Sequence, residues 1–128
     1  PSTRYYYQVG CTTQGWSDIY SFKTMPDAET LKDNLPQRIV MIGDMGTTNT
    51  QALPPVTELV LNQEVDLIVH AGDFAYDMYE LNGTRGDEFM NDIQAAAANT
   101  PYMVCLGNHE VHYNFSHYSQ RFRGQPSN

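Results

Sequence analysis

Three mainly apolar runs, Arg38-Ile39-Val40-Met41-Ile42, Val65-Asp66-Leu67-Ile68-Val69-His70 and Tyr102-Met103-Val104-Cys105-Leu106, are each followed by a short polar signature built on a glycine. The signatures are Gly43-Asp44-Met45-Gly46, Gly72-Asp73-Phe74-Ala75-Tyr76 and Gly107-Asn108-His109-Glu110. Near-continuous apolar runs are expected of parallel strands covered on both faces. The oxygen-bearing residues Asp44, Asp73 and Asn108 recur at spacings of 29 and 35 residues, about one βαβ unit each, roughly 30 residues. In an open α/β sheet the carboxyl ends of the strands are where ligands bind. An α/β fold with a parallel βαβαβ core is therefore expected, with Asp44, Asp73, Tyr76 and Asn108 converging on one sheet edge and His109 beside them.

The segments between the runs fit that reading. A helix is expected over about residues 50–63, with Pro54 and Pro55 in or near its first turn, where proline is tolerated. Val56, Leu59 and Val60 form its apolar stripe. A second helix is expected over 87–98, with Asp87 as its N-cap and Phe89, Met90, Ile93, Ala96 and Ala97 facing inward. Residues 1–26 have a different character. The stretches 4–9 and 18–23 are rich in aromatic and β-branched residues and flank a turn-forming stretch with two glycines, Gly10 and Gly15, which reads as a β-hairpin ending an all-β module. Residues 27–36 read as a linker, and 37–128 as the α/β unit.

Composition excludes several classes. A formal net charge of −8 argues against nonspecific nucleic-acid binding, which needs a basic surface. No window holds the roughly 18 uninterrupted apolar residues of a membrane span. Cys11 and Cys105 are expected to be free thiols. Two N-x-S/T sequons, at Asn82 and Asn114, mark candidate glycosylation sites. The chain opens at Pro1, and Gly124-Gln125-Pro126-Ser127-Asn128 is loop-like, so a piece of a longer protein is expected.

Each candidate residue has an ordinary alternative. An aspartate after a strand caps helices, an asparagine makes turns, a tyrosine packs, a histidine decorates a surface. Their joint recurrence favours a shared centre, because two carboxylates brought together need a cation or a proton between them. Oxygen donors suit hard cations, and a phenol with a pKa of about 10 needs a strong Lewis acid to ionise, which points Tyr76 toward a ferric ion. A second, divalent metal sharing Asp73 makes a pair able to clamp a phosphoryl group and activate water. The chemistry expected is metal-assisted phosphoester hydrolysis.

These motifs resemble the first three of five blocks of the purple acid phosphatases, in the calcineurin-like metallophosphoesterase superfamily. The tyrosine three positions after Asp73 marks that family within the superfamily. The strings His70-Ala71-Gly72-Asp73-Phe74-Ala75-Tyr76-Asp77-Met78 and Tyr113-Asn114-Phe115-Ser116 resemble its animal iron/zinc (type 7) branch. Gly15-Trp16-Ser17 before Tyr20-Ser21-Phe22 is similar to the end of that branch's fibronectin-III-like domain.

The resemblance implies half of a metallophosphoesterase sandwich preceded by the last hairpin of a fibronectin-III-like domain. It implies a secreted or lysosomal acid phosphatase acting on phosphate monoesters. Asp44 and Tyr76 would bind Fe(III), Asp73 would bridge, and Asn108 would bind a divalent Zn, Fe or Mn. His109 would contact the phosphate or protonate the leaving group, with Glu110 orienting it. The family's last two blocks, Val-x-x-His and Gly-His-x-His, do not occur in the 128 residues, and His112 and His117 do not replace them. Little activity is expected of this chain alone.

The competing reading is a non-catalytic binding product, a truncated isoform or pseudo-enzyme. Dinucleotide binding is not supported, because no G-x-G-x-x-G follows the first apolar run. The residues leave the oligomeric state open.

Overall fold

The computed structural model describes residues 2–32, 36–48 and 50–124. Residues 33–35 of the expected linker and 125–128 of the loop-like end lie outside them. The chain opens with β1 (Arg4–Tyr7), β2 (Gly10–Cys11), β3 (Gly15–Trp16) and β4 (Tyr20–Lys23). Strands β1 and β4 pair antiparallel, Arg4 opposite Lys23 and Tyr7 opposite Tyr20. The stretch expected as a turn carries its own small ladder, β2 with β3. Cross-strand aromatics hold the larger pair: Tyr5 stacks on Phe22 at 5.8 Å, and Tyr7 lies 5.7 Å from Tyr20.

The linker expected over 27–36 contains one helical turn, α1 (Ala28–Lys32). Then come β5 (Ile39–Ile42), α2 (Leu53–Leu61), β6 (Leu67–Ala71), α3 (Thr84–Asp92), α4 (Gln94–Ala97), β7 (Tyr102–Cys105) and α5 (Ser116–Arg121). The sheet β5-β6-β7 is parallel throughout, with Ile42 level with His70 and His70 level with Val104.

The helices depart from expectation at their ends. Helix α2 is shorter than 50–63; Val56 and Val60 are buried while Leu59 is exposed. The second helix begins three residues early and is split at Ile93, whose ψ of −7° breaks the helical run. Asp87 is not its cap. Left-handed Gly83 takes the N-cap position, and Asp87, inside the first turn, accepts a hydrogen bond from Arg121 at 2.7 Å. Phe89, Ile93 and Ala96 are buried as expected.

Among the described residues, the apolar clusters cover one face of the sheet. The register sets Val40, Ile42, Ile68, His70, Tyr102 and Val104 on one side, where they meet two apolar clusters. One gathers Met45, Phe74, Met78, Phe89, Ile93 and Tyr118; the other gathers Val56, Val60, Val65, Ile68 and Ala96. The opposite side carries Ile39, Met41 and Met103, exposed at 49%, 76% and 43%. Within the described residues the cover expected of such strands is thus found on one face, and the other shows exposed apolar surface. Two parallel connections of the same hand that step in the same direction lay their helices on the same face. Cys105, on the bare side, is exposed, and both cysteines are free.

The hairpin is tied to the α/β unit by polar contacts. Tyr7 Oη donates to the Ala98 carbonyl at 2.7 Å, Gln94 Nε2 donates to Tyr20 Oη at 3.2 Å, and the Arg4 guanidinium donates to Gln63 Oε1 at 2.7 Å.

His70 is the most buried ionisable group, fully enclosed beneath Phe74 and Phe89 with ring Nδ1 2.7 Å from Tyr102 Oη. Burial pushes its pKa from the ordinary 6.5 down to about 4, against the opposing pull of Asp44. A base whose folded pKa is depressed contributes stability that is complete above its unfolded pKa and is lost as pH falls toward the folded value. Denaturant unfolding at several pH values is expected to show stability falling from about pH 6.5 to about pH 4, with a shallower slope in His70→Asn.

Candidate active site

Beyond the strand ends, the backbone ladder continues into the loops. Asp44 N–H donates to the Gly72 carbonyl at 3.3 Å, and Gly46 N–H to the Phe74 carbonyl at 2.7 Å. The loops after β5 and β6 thus run side by side. Those after β6 and β7 are in closer contact still: a Cβ added at Gly72 meets the Gly107 backbone nitrogen, and one at Gly107 meets Asp73 Oδ1. Only glycine permits that approach at these two positions. The sharp turning is shared: Gly46 and Gly72 have φ of 71° and 70°, and the polar residues join them. Asp44, Asp73 and Tyr76 have φ of 51°, 52° and 47°, a left-handed conformation that costs a non-glycine residue of order 1 kcal/mol and clusters at functional sites.

These turns bring side chains from separate units together. Tyr76 Oη donates to Asp44 Oδ1 at 2.6 Å. The Asp44 hydrogen bond is the first cause that pushes the Tyr76 phenol up to about 12, followed by desolvation and by the charges of Asp44, Asp73 and Glu110. Three carboxylates thus act on one hydroxyl. Asp73 Oδ1 accepts from His109 N–H at 3.0 Å. The His109 ring lies edge-on to Tyr76, centroids 4.8 Å apart. Asn108 opens a short 3-10 turn, Asn108–Val111, with its side chain exposed.

Glu110 does not do what was expected of it. Its carboxylate, 4% exposed, accepts backbone N–H bonds from Asp73 at 2.9 Å, Phe74 at 3.1 Å and Gly107 at 2.9 Å. It clamps the β6 and β7 loops with these hydrogen bonds and acts on the imidazole through its charge. The partner of His109 is Asp77, whose Oδ1 lies 3.0 Å from Nδ1. Sequence reasoning missed Asp77. Its signal was the alternation of chemistry in Asp73-Phe74-Ala75-Tyr76-Asp77, whose second carboxylate follows the tyrosine directly.

Among the described residues no group of three His, Cys, Asp or Glu side chains is placed to hold a metal ion. The donors that do converge are a phenol and carboxylates. Such an all-oxygen set suits a hard cation, and a cation relieves the repulsion between the carboxylates. On that test the residues fit one side of a hard-metal site.

Removing the Glu110 clamp leaves three backbone donors without an acceptor. Glu110→Ala is expected to cost about 3–5 kcal/mol in denaturant unfolding, and Glu110→Gln, which keeps one acceptor oxygen, less. The Asp77 hydrogen bond raises the His109 pKa above 6.5, against desolvation. The stability this pair contributes is full below the unfolded value of 6.5 and is lost as pH rises through the raised folded one. NMR titration of the imidazole is expected to show a lower His109 pKa in Asp77→Asn.

The calcineurin-like phosphoesterase family model matches residues 37–128. Acid phosphatase type 7 of Danio rerio is 41% identical over 122 residues, covering 95% of this chain and 26% of that protein. Probable inactive purple acid phosphatase 9 of Arabidopsis thaliana is 33% identical, covering 84% of the chain and 18% of that protein. The solved structure of a purple acid phosphatase from yellow lupin (Lupinus luteus) seeds superposes with a TM-score of 0.63 at 27% identity, covering 86% of this chain and 21% of the lupin chain. The chain thus spans about a quarter of its animal relative. The expected α/β architecture agrees with that structural likeness, and the chain belongs to the calcineurin-like phosphoesterase family.

Proposed function

We propose that this chain forms the first part of the catalytic domain of an acid phosphatase that hydrolyses phosphate monoesters at a dinuclear Fe(III)–M(II) centre. The observation that carries the reading is the contact between Tyr76 Oη and Asp44 Oδ1. It joins oxygens from two βα units where the charge of Asp73 also reaches. In this reading Asp44 and Tyr76 would hold the ferric ion, Asp73 would serve both metals, and Asn108 would offer its amide oxygen to a divalent Zn, Fe or Mn. Bound metals would supply Lewis-acid polarisation of the phosphoryl group and a hydroxide nucleophile at acid to neutral pH.

The chain's own residues do the rest. Asp77 holds His109 at Nδ1 and favours the protonated ring, leaving Nε2 to donate a proton toward the leaving-group oxygen. Glu110 keeps the loops carrying Asp73 and His109 in register. His109 is then a catalytic residue and Glu110 a positioning residue.

The remaining assignments follow the same reading. Residues 1–26 would be the closing hairpin of a fibronectin-III-like domain, and 27–36 a linker. Asn82 and Asn114 are exposed and left-handed, and would carry glycans in a secreted or lysosomal protein. No described helix is long and apolar enough to cross a membrane.

One observation favours a second reading for the isolated chain. Among the described residues no three His, Cys, Asp or Glu ligands are grouped, and in this second reading the chain alone binds metal weakly and acts by binding. A relative named as probably inactive keeps that class in play.

Elemental analysis of the 128-residue chain beside a longer protein containing it is expected to find two metals in the longer protein and little in the chain. The longer protein should show a visible tyrosinate-to-iron charge-transfer band that disappears in Tyr76→Phe. A metal-free longer protein supports the binding reading, and colour that survives Tyr76→Phe removes Tyr76 from the centre.

A further inference from the structure

Beside His109 lies a group of rings that neither apolar cluster uses. Tyr79 and His112 are 4.4 Å apart by ring centroid, Tyr79 and Tyr113 5.6 Å, and Tyr113 and His117 5.6 Å. Tyr79, His112 and His117 share a crevice with His109. Tyr79 also lies within electrostatic reach of Asp77, the partner of His109. Tyr113 is 69% exposed and His112 is exposed too, so burial does not explain their placement.

The backbone makes that placement costly. Tyr113, Asn114 and Phe115 are three successive non-glycine residues with φ of 54°, 54° and 60°. Such residues visit the left-handed region singly, and a run of them persists only where the surroundings hold it. Here Phe115 precedes α5, Ser116 N–H closes back on the Tyr113 carbonyl at 3.2 Å, and Tyr118 anchors the helix in the core. The strained run displays the Tyr113 ring at the surface against Tyr79 and His117, both of which line the crevice that His109 also lines.

We propose that Tyr79, His112 and Tyr113 form a stacking platform that receives a planar ring in the leaving group of the phosphate ester, making the preferred substrates ring-bearing monoesters. This rests on the phosphatase reading above. Exposed aromatic side chains stack on planar rings without sequence or substituent specificity. A ring held there would lie against the crevice that Tyr79 and His112 share with His109, the proton donor of the proposed reaction.

Adenosine 5′-monophosphate and ribose 5-phosphate test this, because both release the same primary alcohol and differ in the base. For the metal-loaded protein, kcat/KM is expected to favour the nucleotide by on the order of tenfold. Tyr113→Ala should remove most of that preference, and Tyr113→Phe should keep it. Separately, NMR of the metal-free protein should show ring-current shifts at Tyr79 and Tyr113 with the nucleotide and none with ribose 5-phosphate. Hydrolysis of both esters at equal rates, or a preference untouched by Tyr113→Ala, overturns the platform and leaves the phosphatase reading standing. Ring-current shifts without hydrolysis of either ester keep the platform and overturn the phosphatase reading.

Discussion

The Glu110 carboxylate is the tie on which the rest of the site depends. It is nearly enclosed, and three backbone N–H groups from two different loops point at it. Hydrogen bonds to a buried ionised acceptor are stronger than neutral ones, and losing the acceptor exposes each donor to its full desolvation cost. Two of the donors are Asp73 and Phe74 and the third is Gly107, so one side chain sets the distance between the β6 and β7 loops. The glycines at 72 and 107 make that distance possible, because any Cβ there meets backbone or carboxylate. Asp73 returns the tie by accepting from the His109 amide.

Strain and charge are concentrated in the same few residues. Left-handed Asp44, Asp73, Tyr76 and Asp77 occupy the ends of the strands, above a core that includes Met45, Phe74 and Met78. Phe74 and Ala75 sit between Asp73 and Tyr76 and are almost completely buried. Apolar anchoring between the polar positions holds a backbone that would otherwise relax. It also fixes where the polar side chains emerge, which is the requirement for a preorganised site.

The sheet shows what a local pattern can and cannot say. Unbroken apolar strands imply cover on both sides, and the strands here are unbroken. Yet the buried residues of α2, α3, α4 and α5 lie on the side of Ile42, Ile68 and His70, while Met41 and Met103 face outward. The apolar pattern records what each side chain is suited to meet. Which neighbour meets it depends on connection geometry, which no run of five residues contains. His70 shows the same limit from the other side: a histidine ending an apolar run proved to be a fully buried partner of Tyr102.

The amino-acid order alone determined the three parallel strands, the antiparallel hairpin before them and the edge at which polar residues collect. Those features follow from apolar runs, aromatic-rich stretches and glycine positions, all local and repeated at a regular spacing. The tertiary structure decided the partners. Asp77 holds His109, Glu110 grips the loops, Arg121 takes Asp87 from its expected capping role, and Tyr76 reaches Asp44 across 32 positions of chain. Partners separated this far are chosen by how the loops turn and pack, and left-handed turns at aspartate and tyrosine leave no mark in composition or periodicity.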